Sequence, residues 1–125
     1  VLDYGEYIHN SGLNLLCTPG NDVESTTAMA GSGANLIIFT TGLGTPTGNA
    51  IAPVIKISSN TSVFKKMSDI IDFNSGSIVE GTKTMESLST ELLDYIIQVA
   101  SGEIKTKSME NRQYDFLPWK RDISL

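Results

Sequence analysis

The apolar residues of this chain fall in short runs divided by clusters of glycine, proline, serine, threonine and asparagine, and the period of the runs changes along the chain. The run "LNLLC", 13–17, stops at Thr18-Pro19-Gly20 and is expected to be a buried strand ending in a turn. Asn21 and Glu24 then stand at the spacing of a capping pair, the amide oxygen accepting from the first free backbone N–H groups while the carboxylate reaches back. The helix they open carries Val23, Thr26, Thr27 and Ala30 and is expected to end at Gly31 or Gly33. "NLIIFT", 35–40, is apolar on both faces, as expected of a central strand covered from both sides.

"PVIKIS", 53–58, alternates as a strand does, with Val54 and Lys56 on one side and Ile55 and Ile57 on the other. Lys56 thus interrupts an otherwise apolar strand. "SSNTS" supplies capping residues for a helix whose apolar positions Val63, Phe64, Met67, Ile70 and Ile71 recur at helical spacing. A longer helix is expected over 85–101, where Leu88, Leu92, Ile96 and Val99 form a stripe and Gly102 supplies the stop. The remainder, 103–125, is polar apart from an aromatic knot of Tyr114, Phe116 and Trp119, and reads as an extended C-terminal arm lying on a neighbouring surface. This order predicts a single α/β domain: a small, mostly parallel sheet flanked by helices in a Rossmann-like three-layer arrangement, with the arm appended.

Composition narrows the function. At 125 residues one core is expected, burying roughly two-thirds of the unfolded surface. A net charge of -5 argues against nucleic acid, because counterion release needs a basic face. The apolar runs are too short or interrupted to span a bilayer, so no membrane partner is expected. The single cysteine, Cys17, forms no internal disulfide and fits a cytoplasmic setting. The opening "VLDYGEYIHNSG" reads like the interior of a longer polypeptide.

In open parallel sheets ligands bind beyond the carboxyl ends of the strands. Three loops are expected there: "CTPGND", "TTGLGTPTGN" and "SSNTS". Together with Lys56 they nominate Asn21, Asp22, Thr40, Thr41, Gly42, Gly44, Thr45 and Asn60 as substrate-binding residues. Gly42, Gly44 and Gly48 do not make the dinucleotide fingerprint, whose last glycine would fall at Thr47, and the Gly-Lys-Ser/Thr ending of a phosphate loop is missing. The loop therefore admits two readings. It is a strand connection using glycine for turns and proline for stiffness, or a donor-rich rim for a carboxylate or hydroxyls.

Other chemistry is sparse. His9 sits among Asn10, Ser11 and Gly12, as an exposed loop histidine would. Cys17 closes the first apolar run, where a buried, inert thiol is the default. One His and one Cys complete no zinc site. Asp22 and Glu24 are explained by capping. Lys56 is harder to dismiss, since a buried ammonium is costly unless it meets an anion or reaches an edge.

The segments "VLDYGE", "GLNLLCTPGNDVESTTAMAGSGANLIIFTTGLGTPTGNAIAPVIKISSN", "IIDFNSG", "VASGE" and "DFLPWKR" resemble the C-terminal part of the altronate and galactarate dehydratase family, over nearly the whole chain. One departure is Leu43, where relatives often carry an arginine between the two glycines. The resemblance implies dehydration of a hexonate, D-altronate to 2-keto-3-deoxy-D-gluconate, with galactarate as an alternative acid. It implies a divalent metal, iron or manganese, in the full enzyme and none held by this chain. It also implies upstream domains of the same enzyme as partners, and allows a homo-oligomer. Two other readings stay open beside it: a structural or oligomerisation module, and a small-anion binding domain.

Overall fold

The computed structural model describes residues 1–119. Its sheet has three parallel strands in the order β1, β2, β3: β1 is Ile37–Thr41, β2 is Val54–Ser58 and β3 is Phe73–Asn74. The helices are α1 (Asp22–Gly31), α2 (Thr61–Lys66), α3 (Gly76–Val79), α4 (Met85–Ala100) and α5 (Lys107–Glu110). The fold class is α/β, as expected.

β2 is the centre of the sheet, and all five of its residues are buried. Its β-branched residues suit a pleated surface covered on both sides. On one face Val54 packs with Ile37 and Ala52, joined by Met29 from α1 and by Phe39. On the other, Ile55 and Ile57 pack with Val99, Leu92, Tyr95 and Ile96 from α4. Each face of the sheet therefore has its own helix.

Helix ends follow the caps that the sequence offers. Asn21 accepts from the N–H groups of Val23 and Glu24 at the start of α1, and Thr84 accepts from Ser87 N–H at the start of α4. α4 ends at Ala100, one residue before the expected boundary.

Several expectations are corrected. The 35–40 run is not central: β1 is an edge strand with Ile38 exposed, and the lysine-bearing strand takes the middle. An apolar run on its own carries no information about how many neighbours it has. The 13–17 run does not enter the sheet. It makes an isolated parallel bridge with Leu2, held by Leu2 N–H to the Leu15 carbonyl (2.7 Å) and Cys17 N–H to the Leu2 carbonyl (3.0 Å). α2 stops at Lys66 because Met67 leaves the helical region at φ -122° and ψ 35°, so Ile70 follows in a turn and Ile71 in the irregular stretch that leads into β3. β3 and α3 are too short for any periodicity to announce them.

The stretch expected to be an extended arm contains α5, with Thr106 and Ser108 buried and the Ser108 hydroxyl 3.4 Å from the Val54 carbonyl. Beyond α5 the chain crosses α1, where Leu117 N–H donates to Thr27 Oγ1 at 3.1 Å and Trp119 N–H to the Tyr4 hydroxyl at 2.9 Å. Of the expected aromatic knot, Trp119 meets Tyr4 edge-on with ring centroids 5.6 Å apart, while Tyr114 and Phe116 are exposed. Residues 120–125 of the expected arm lie outside the described residues.

Candidate functional site

The carboxyl ends of all three strands open into one cleft of about 370 Å³, lined by Gly42 after β1, Ser59 and Asn60 after β2, Thr61 in α2, and Gly76 and Glu80 at α3. Ser58 organises its floor. The Ser58 hydroxyl donates to the Asn60 carbonyl (2.9 Å) and accepts from Asn60 N–H (3.1 Å), while the Ser58 carbonyl accepts both the Ser75 N–H and the Ser75 hydroxyl. Asn60 Oδ1 caps α2 through Ser62 and Val63 N–H, and its Nδ2 makes no hydrogen bond among the described residues.

Gly76 allows the two walls to meet. A Cβ there would stand 2.5 Å from Thr61 N and 2.7 Å from Thr61 Oγ1, closer than any side chain tolerates. Asn74 ties the same corner: its Oδ1 accepts from Gly76 N–H at 2.9 Å, and its amide pairs with the Thr61 hydroxyl at 3.2–3.3 Å.

The threonine- and glycine-rich loop after β1 is fastened from within. Thr41 Oγ1 accepts Gly44 N–H at 2.9 Å, Gly44 turns with φ +94° against Met67, and the buried hydroxyls of Thr45 and Thr47 pair at 3.0 Å. Beneath it lies Lys56, 0% exposed, whose ammonium donates to the carbonyls of Pro46 (3.3 Å) and Thr47 (3.2 Å). Burial pushes the Lys56 ammonium below its ordinary pKa, against the raising influence of Asp72 and then Asp115.

Asp72 closes the layer below. Its carboxylate accepts Lys56 N–H and Lys107 N–H, each at 2.7 Å, and the Tyr95 hydroxyl at 3.4 Å. Burial raises its pKa in spite of these hydrogen bonds and the Lys56 charge. Burial, with the Asp72 charge beside it, pushes the Tyr95 hydroxyl up to about 12.

Of the nine residues nominated from sequence, Gly42 and Asn60 line the cleft. Thr41 and Gly44 shape the loop beside it, and Thr45 and Lys56 are buried inside that loop. Thr40 is exposed on β1, and Asn21 and Asp22 form the start of α1; none of the three is among the cleft residues. Sequence reasoning did not nominate Ser59, Thr61, Gly76, Val79 or Glu80 individually, although Ser59 and Thr61 lie in the "SSNTS" loop it placed at the strand ends. The first two adjoin a nominated residue, whereas Gly76 and Glu80 are brought in by β3 and α3.

His9 is exposed and stacks edge-on near Tyr7. Cys17 is exposed rather than buried, because the run it closes lies outside the sheet. Among the described residues no three His, Cys, Asp or Glu side chains converge as metal ligands, so the donor set does not fit the divalent metal that the family resemblance implies. No helix of the described residues is long and apolar enough to cross a membrane.

Residues 1–124 match the family model described as D-galactarate/Altronate dehydratase, C-terminal. The chain is 41% identical over 116 residues to the altronate dehydratase of Escherichia coli K12, covering 93% of this chain and 22% of that protein. It is 40% identical over 104 residues to the altronate dehydratase of Bacillus subtilis 168, covering 83% and 21%. Against the L-threo-forming galactarate dehydratase of Escherichia coli K12 it is 38% identical over 108 residues, covering 86% and 21%. The chain therefore spans about a fifth of the length of these relatives. With the family model matched almost from end to end, this chain belongs to the D-galactarate/altronate dehydratase family, in its C-terminal part.

Proposed function

We propose that this chain is the C-terminal part of a cytoplasmic hydro-lyase that removes water from a hexonate, converting D-altronate to 2-keto-3-deoxy-D-gluconate, with galactarate as the alternative acid. The likeness to two altronate dehydratases carries this reading. The cleft at the strand ends gives it a place. In such an elimination a base takes the proton beside the carboxylate, the neighbouring hydroxyl leaves as water, and the resulting enol tautomerises to the 2-keto acid.

The role assigned to this chain is binding. Ser59, the free amide nitrogen of Asn60 and the backbone at Gly42 face the sugar hydroxyls. Lys56 acts as a positioning residue: its two carbonyl contacts hold the loop that carries Gly42. The base, the acid and the ligands of an iron or manganese ion belong to the remainder of the polypeptide.

The test is direct. The full-length enzyme is incubated with D-altronate and with galactarate, and formation of a 2-keto acid is followed. Turnover of either acid supports the reading, and absence of turnover with both acids under any divalent metal supplied contradicts it.

A further inference from the structure

We propose that the outer edge of β1 is the seat of a further parallel strand, supplied by the part of the enzyme polypeptide N-terminal to this chain. The ladder geometry shows which groups are free. Ile37 N–H bonds the Pro53 carbonyl and Ser59 N–H bonds the Thr41 carbonyl, so Ile37, Phe39 and Thr41 face β2. In a parallel pair, the N–H and C=O of the intervening Ile38 and Thr40 therefore face away from the sheet. Among the described residues neither makes a backbone hydrogen bond on that side.

The edge lacks the usual protection. Natural edge strands carry lysine, proline, a bulge or a cover, because an open row of backbone groups invites another strand. Residues 35–44, "NLIIFTTGLG", contain no charge and no proline. Ile38 is 46% exposed on this edge, and Leu43, just past its end, is 87% exposed. Such chemistry belongs to an internal strand.

The occupant follows from the connections. Parallel strands are joined by crossover helices, and α1 lies on one face of the sheet and leads directly into β1. The run that feeds α1, 13–17, is held by Leu2 outside the sheet and does not pair with β1. About four-fifths of the length of the relatives lies outside this chain, and the chain matches their C-terminal model. A strand from that preceding portion would extend the sheet to at least four.

The proposal rests on the chain's being part of a longer enzyme, whichever acid that enzyme consumes. Residue-resolved amide hydrogen exchange of the full-length enzyme, without substrate, tests it, so its failure leaves the catalytic reading standing. The expected result is that Ile38 and Thr40 amides exchange within about tenfold of the Phe39 and Thr41 amides, independently of protein concentration. Exchange at Ile38 and Thr40 roughly a hundredfold or more faster than at Phe39 overturns the proposal. Protection that disappears on dilution to the monomer also overturns it, since a second copy would then be the cover.

Discussion

Lys56 and Asp72 are joined twice, once through each of the two peptide groups that flank the Lys56 Cα. Lys56 N–H donates to Asp72 Oδ2 at 2.7 Å, and Asp72 N–H donates to the Lys56 carbonyl at 3.0 Å. The aspartate side chain thereby continues the ladder between β2 and β3 for one residue before β3 begins. It also fixes α5 through Lys107 N–H.

This arrangement predicts a pH signature. Burial holds the Asp72 carboxyl above its ordinary range, so the native chain binds that proton more tightly than the unfolded chain does. The associated stability is fully present below about pH 4, the unfolded carboxylate value, and is lost as pH rises through the native value. Asp72→Asn removes this component, and it leaves one backbone amide facing an NH₂ group, costing about 1–3 kcal/mol. Urea unfolding of wild type and variant between pH 4 and 8 measures both. The difference in stability should shrink as pH rises; a constant difference contradicts the assignment.

Lys56→Met should loosen the loop without dismantling the sheet. The methionine fills similar apolar volume, while the Pro46 and Thr47 carbonyls lose their shared donor at a cost of about 1–3 kcal/mol. In the full-length enzyme kcat/KM should fall by roughly tenfold or more, through misplacement of the loop. Unchanged kinetics would remove Lys56 from the account of the site.

Gly76→Ala should be among the costlier glycine substitutions. The new methyl would meet backbone and a buried hydroxyl of Thr61, so the corner of the cleft must open. A loss of about 1–3 kcal/mol is expected from overpacking. Gly81→Ala has no such contact and carries only a positive φ of +68°. Comparative denaturation of the two variants checks the ranking, and equal losses would place the cost in backbone conformation instead.

The sequence located the start of α1 at Asn21 and of α2 after "SSNTS", and the stripe of Leu88, Leu92, Ile96 and Val99 located α4 to within one residue of its end. It also located β2 and its inward lysine. It misread which strand is central, because "NLIIFT" and "PVIKIS" are both apolar and differ only in their neighbours. The candidate site was half legible. Asn60 and Gly42 belong to loops whose composition stood out, but Gly76 and Glu80 arrive through a two-residue strand and a four-residue helix. Lys56 was singled out for the right physical reason, its burial, yet its partners are loop carbonyls ten and nine residues away. No local pattern announces such a contact.

Asn60→Asp in the full-length enzyme tests most directly whether the cleft binds the sugar acid. Aspartate caps a helix as well as asparagine does, so stability should change by less than about 0.5 kcal/mol, while the free amide donor becomes a carboxylate that repels an anion. The account predicts a KM for D-altronate raised by about tenfold or more at an unchanged melting temperature. A KM equal to that of the unaltered enzyme would contradict it.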